Sequence, residues 1–345
     1  MRTGELRKIA SRRKLDRILV AGQANIRALP GINCDNAVLA VSAGRADAAF
    51  YTDFRYVSMV HRVAPQLQCR DLRKLGALNA RRSPRRIGYE AAIPHAKFLA
   101  WRKRFPRATF VDITKNLAAI RAVKTAGEIT ALRAAEKLTC EIWETACGRF
   151  RAGMTERQMA RIVRQLMVER GEGEAFDTIV CVGKNAAECR HEPDDTVWNG
   201  REPVLVDLGV RLGGVCSDLT RNLVPKRASR TYRDVYALVL KANLAAIAAA
   251  KPGLTGRQLD GVARKVIREG GFGKCFGHSL GHGVGYEIHE EPYASQKKGD
   301  LILKPGMLVT IEPGIYLEGN LGVRIEDLVL ITETGCEVLS AHAAK

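Results

Sequence analysis

The sequence predicts two domains, an α/β domain followed by an α+β domain built from two copies of one pattern. Three observations predict this. The chain has 345 residues, more than one ordinary domain holds. Its charge changes sharply near residue 120. Residues 1–120 carry 24 Lys+Arg against 8 Asp+Glu, and residues 121–345 carry 31 against 29. The second half also repeats itself at an offset of 100 residues. The division is therefore expected at 1–122 and 123–345.

The first half reads as strands alternating with helices. Residues 14–29 are helix-like in spacing. Residues 37–41 and 48–51 are short apolar runs of strand type. Thr52-Asp53-Phe54-Arg55-Tyr56 follows, then a helix-like stretch to residue 63. Residues 86–90 and 108–111 read as further strands, and the arginine-rich runs at 81–86 and 102–104 as exposed turns and helix faces. Asp53 and Arg55 read as a structural ion pair. No catalytic cluster stands out in this half.

Composition narrows the function. A hydrophobic content of 46% supports packed cores. No apolar run approaches the roughly 18 residues a membrane helix needs, and the early run at 18–22 is too short for a signal-peptide core. The nine cysteines include no CxxC pair, which fits reduced thiols in a cytoplasmic protein. The net charge of +18 sits mostly in the first half. It leaves a polyanion partner open, although no nucleic-acid motif accompanies it.

Residues 126–149 predict one long helix, with Ile129, Leu132, Ala135, Leu138, Ile142 and Trp143 at helical spacing. The repeat follows. RAGMTERQMARIVRQLMVERG (151–171) and KPGLTGRQLDGVARKVIREGG (251–271) agree at seven of 21 positions. Each holds a threonine, Thr155 or Thr255, with glutamine three later, the signature of a capping box at a helix start. Each copy then runs into a strand pair that carries carboxylates among apolar residues: Asp207 and Asp218 in the first, Glu312 and Glu326 in the second. A lone buried carboxylate is costly and usually takes up a proton. Four together require a cation, and a pair of divalent ions can share bridging carboxylates. Neutral imidazole is the natural further ligand. Residues 277–289, GHSLGHGVGYEIH, supply His278, His282 and His289. The glycines there disfavour a helix and admit close backbone approach. In an extended segment His282, Tyr286 and His278 could share the inward face.

The stretches VDLGV-x6-SDLTRN, GHGVGYEIHEEP, TIEPGIY and GVRIED resemble the pita-bread metallopeptidases. In detail they resemble the Xaa-Pro peptidases, prolidase and aminopeptidase P. The resemblance covers about residues 124–340, and TDFRY in the first half resembles a creatinase-type N-terminal domain. It implies a pita-bread α+β fold with a pseudo-twofold repeat, and metal ligands Asp207, Asp218, His282, Glu312 and Glu326. Asp218 and Glu326 would serve both ions, and Glu312 would also be the general base. His191 and His289 would line the substrate site and stabilise the tetrahedral intermediate. Arg324 and His278 would support the ligands. It further implies two divalent ions, manganese before cobalt, zinc or iron, a metal-bridging hydroxide that attacks the carbonyl before proline, and a homodimer. One departure stands out. Many prolidases carry an arginine after HE-x-P, where it reaches a dipeptide's carboxylate, and here that position is Tyr293. Methionine aminopeptidase and creatinase share the catalytic fold. The former usually lacks the first domain, and the latter uses no metal. A catalytically silent relative that binds a partner through the basic half is the reading from another class.

Overall fold

The computed structural model describes residues 2–43, 48–76 and 83–345. Arg81 and Arg82 of the expected exposed turn lie outside the described residues. The chain separates into two compact units, Met1–Arg121 and Ala122–Lys345.

The first unit is a six-stranded sheet with helices on both faces. Its strands are β1 (Arg17–Val20), β2 (Ala37–Ser42), β3 (Ala48–Thr52), β4 (Gln68–Asp71), β5 (Arg86–Tyr89) and β6 (Thr109–Asp112), in the order β4-β3-β2-β1-β5-β6. The β1–β2 and β2–β3 pairs are antiparallel and the others parallel. Alternation along each strand feeds two cores. Ile18, Val20, Leu39 and Val41 enter one cluster, with Leu6, Ile26, Val60 and Leu117 from helices. Leu19, Val38 and Ala40 enter the other, with Trp101. The helix expected at 14–29 is therefore a strand, β1, and a short helix at Gln23–Ala28. A strand buried on both faces shows no polar alternation, so its pattern does not separate from that of a buried helix. Asp53 and Arg55 form the expected ion pair, 2.8 Å apart.

The second unit opens with α1 (Ala126–Arg149) and α2 (Glu156–Arg170), followed by β7 (Ile179–Val182), β8 (Val204–Leu208), β9 (Arg211–Leu212), β10 (Val215–Cys216) and β11 (Leu219–Leu223). The second copy starts with α3 (Arg230–Ala249) and α4 (Gly256–Glu269). It continues through β12 (Gly281–Gly283), β13 (Glu290–Ala294), β14 (Leu308–Ile311), β15 (Gly314–Leu317), β16 (Leu321–Arg324), β17 (Asp327–Ile331) and β18 (Cys336–Val338). The repeat extends to backbone detail. Thr155 and Thr255 both close full capping boxes, with Gln158 and Gln258. Gly153 and Gly253 both turn in the left-handed region, at φ 93° and 90°. Thr155 bridges Val197 as Thr255 bridges Ile302. Two cores form, one around Leu132, Val163 and Val206 that also takes in Leu308 and Leu328 of the second copy, the other around Val239, Leu259 and Val309. The sheets β11-β8-β7 and β14-β17-β18 lie one in each copy, and their strand ends carry the four carboxylates.

No helix among the described residues is long and apolar enough to cross a membrane. All nine cysteines are free thiols. Thr255→Ala removes one side of a capping box, which costs about 1 kcal/mol. It should lower the melting temperature of the second unit by about 2–4 °C. An unchanged midpoint in a thermal scan would contradict this role.

Candidate metal centre

Strand register places the first pair of carboxylates. Asp207 lies on β8 opposite Thr220 of β11, and Asp218 stands just before β11. Glu312 follows the end of β14, and Glu326 stands between β16 and β17. One ligand oxygen from each of Asp207, Asp218 and Glu326 falls within a mutual 4.8 Å. His282 joins them from β12. Its Nε2 lies 3.5 Å from Asp218 Oδ2 and 3.4 Å from Glu312 Oε1.

The glycines around His282 are there for contact. A Cβ at Gly281 would lie 1.9 Å from the Thr310 carbonyl oxygen, and one at Gly283 would lie 2.3 Å from that of Glu291. Any side chain at either position would push β12 off its neighbours and carry the imidazole away. His282 donates its Nδ1 proton to the Gly283 carbonyl at 3.1 Å. Its Nε2 lone pair therefore points at carboxylate oxygens, an arrangement that repels unless a cation lies between them.

The carboxylates show the same deficit. Asp207 Oδ1 and Glu326 Oε1 are buried and have no hydrogen-bond partner among the described residues. Burial, then the neighbouring carboxylates Glu326, Asp207 and Glu312, raise Asp218 well above the usual carboxylate range. Burial, then Glu312 and Asp207, do the same to Glu326. Burial pushes Glu312 up to about 8, with Arg324 pulling against it. Burial drives His282 down to about 3, assisted by His289. Bare oxygens, a neutral imidazole and crowded hard anions form a donor set that fits divalent cations.

Surrounding residues hold this set in place. Buried Arg324 donates to Asp207 Oδ2 at 2.6 Å, to Thr220 Oγ1 at 3.0 Å and to the Tyr316 hydroxyl at 3.1 Å. Thr220 donates to Glu326 Oε2 at 2.8 Å, and Thr310 to Glu312 Oε1 at 3.2 Å. His278 meets the Tyr316 hydroxyl through Nε2 at 2.9 Å. Behind the site, Glu136 accepts the Asp218 backbone N–H at 3.2 Å. A cavity of about 400 Å³ opens over the cluster. His289 lines it, with its ring 4.2 Å from that of His282, and so do His278 and Tyr293.

One expected residue is placed elsewhere. His191 does not line this cavity. Its Nε2 lies 2.7 Å from Glu156 and its Nδ1 3.1 Å from Glu188. Burial lowers its proton affinity, and the hydrogen bonds to Glu156 and Glu188 outweigh that and raise it. The ring is consumed by those two glutamates, and Arg190, its neighbour in sequence, lines the cavity instead. Tyr286 also departs from expectation and packs against the apolar core. The sequence reading missed Arg190, Tyr316, Thr220 and Thr310. The two threonines had a signal, since each stands two residues from a ligand and so shares its face of an extended segment.

A model described as metallopeptidase family M24 matches residues 130–333. The chain belongs to metallopeptidase family M24. A second, the creatinase/prolidase N-terminal domain, matches residues 2–123. Together they give the M24 enzyme its pita-bread catalytic domain and creatinase-type first domain. A Xaa-Pro dipeptidase of Pyrococcus furiosus is 36% identical over 74% of this chain and 73% of its own length. The structure of a Xaa-Pro dipeptidase from Bacillus anthracis superposes with a TM-score of 0.93 at 30% identity, covering 98% of this chain and 96% of that one. An X-Pro aminopeptidase from Thermotoga maritima gives 0.87 at 31% identity, covering 96% and 97%. The chain is a metallopeptidase.

The raised carboxyls give the metal-free protein a pH dependence of defined sign. Glu312 and Glu136 rise from 4.5 to about 8, chiefly through burial. Their protonated forms stabilise the fold fully below 4.5, and that contribution is lost as the pH climbs toward about 8. The melting temperature of metal-stripped protein should fall between about pH 5 and 8, and divalent metal should restore it at the upper end. A flat profile without metal would contradict the assignment.

Proposed function

We propose that this metallopeptidase hydrolyses the peptide bond preceding proline, using two divalent ions held by Asp207, Asp218, His282, Glu312 and Glu326. The observation that carries the reading is the pair of bare buried oxygens on Asp207 and Glu326, clustered with Asp218, while His282 Nε2 lies 3.5 Å from Asp218 and 3.4 Å from Glu312. Four carboxylates against the one arginine that pairs with them leave three negative charges, which a single divalent ion undercompensates. The oxygen-rich donor set suits manganese, with cobalt, zinc and iron as rivals. Bound at this site, such ions lower the pKa of water and polarise a carbonyl.

The chain's own residues supply the rest. Glu312, at the floor of the cavity, takes the proton from the attacking water and returns it to the departing nitrogen. Arg324 keeps Asp207 oriented, and Thr220 does the same for Glu326. His289 stands neutral on the wall, where a ring N–H can meet the developing oxyanion. Burial, and Arg190 after it, keep its pKa below the ordinary value. Proline's amide offers no N–H, so recognition must come from shape. Phe176, Ile179 and Ile288 give the cavity an apolar side for the ring. His191, bound to Glu156, has no part in this reading. We further read the protein as a cytoplasmic homodimer, on the strength of the family resemblance.

Metal-stripped protein reloaded with Mn²⁺ should cleave a Xaa-Pro peptide and leave its Xaa-Ala counterpart intact. Asp218→Asn should lower kcat/KM by more than about a hundredfold, since residues one step further from a metal already cost about 10–100-fold. Stoichiometric metal with no cleavage of any Xaa-Pro peptide would favour a silent binding protein.

A further inference from the structure

The candidate cavity is lined by two arginines, and only one of them is engaged. Arg324 is buried and donates to Asp207, Thr220 and Tyr316. Arg190 is exposed, and its guanidinium has no hydrogen bond or ion pair among the described residues. Its orientation follows from its neighbour. Glu156 and Glu188 tie down the His191 ring, and the His191 backbone N–H bonds the Glu188 carbonyl at 3.2 Å. With that loop pinned on the His191 side, the preceding side chain is directed into the cavity.

Arg190 also stands where two cavities meet. The second, of about 510 Å³, shares Asp177, Ile179 and Arg190 with the first and continues past Arg157, Arg161 and Arg164. Arg157 and Arg164 are occupied by Asp195 and Glu174. Tyr293, which also lines the first cavity, brings an aromatic ring and no charge. Arg190 is thus the one unengaged guanidinium among the residues that line it.

A dipeptide carries its charges one residue either side of the bond to be cut. Its ammonium suits the carboxylate-rich floor, and its carboxylate needs a cation at the opposite end. A guanidinium matches a carboxylate in two parallel hydrogen bonds. A longer peptide places a neutral amide at that point and forgoes the pairing. We propose that Arg190 receives the C-terminal carboxylate of the substrate, so that it sets a preference for dipeptides. This rests on the Xaa-Pro reading above.

The test uses the full Mn²⁺-loaded chain with Ala-Pro, Ala-Pro amide and Ala-Pro-Ala. Wild type should favour the free acid over the amide by roughly tenfold or more in kcat/KM, the yield of a charge-assisted hydrogen bond. Arg190→Ala should collapse that ratio, mainly through a higher KM for the acid. Arg190→Lys should retain part of it. Equal losses on acid and amide, or an unchanged ratio, would overturn the assignment. So would a wild-type enzyme that prefers the amide or the tripeptide. Calorimetry with a non-cleavable acid and amide pair separates the two proposals. If wild type cleaves no peptide, the Xaa-Pro reading fails, while tighter binding of the acid that Arg190→Ala abolishes still upholds the role of Arg190. Equal binding of acid and amide by wild type removes it.

Discussion

Mutual repulsion among four buried carboxylates is the constraint on which the second unit depends. Asp207, Asp218, Glu312 and Glu326 come from two copies of one pattern and converge on a single point. Apolar strands behind the cluster remove much of the water that would otherwise screen them. Arg324 compensates one of the four charges. Thr220 and Thr310 donate to two more, yet oxygens of Asp207 and Glu326 are still bare. The burial that makes the site costly without a cation also makes it strong with one. The glycines flanking His282 serve the same end, since they let β12 lie close enough for a neutral nitrogen to complete the donor set.

The pseudo-twofold repeat explains how a chain arrives at such a point. Each copy alone would bury two carboxylates in an apolar strand pair with nothing to balance them. Two copies bring the carboxylates together in a group that could hold a metal ion. The matching capping boxes, left-handed glycines and threonine bridges are the scaffold of this symmetry. They hold the strand ends in register, and the ligands sit at those ends.

Much of this was legible in the sequence, because carboxylates embedded in apolar runs have few explanations. Asp207, Asp218, His282, Glu312 and Glu326 fall together in the structure, and the helix at 126–149 has the bounds its spacing predicted. The rest was hidden for physical reasons. β1 is apolar on both faces, so its period of two is invisible. His191 and Arg190 are adjacent in a loop, where no periodicity states which one faces inward. The decision falls to Glu156, a buried side chain at the start of α2 that binds the histidine ring. Tyr316 acts through its hydroxyl alone, which its place in a short strand does not announce.

The central claim is that two cations balance this cluster. Its most direct test is a count of ions. Metal-stripped protein would be dialysed to equilibrium against micromolar Mn²⁺ and its bound metal measured by elemental analysis. The account predicts two ions per chain, with Glu326→Gln, which alters one of the proposed ligands, holding fewer. A wild-type chain that binds no ion, or saturates at one, would contradict it.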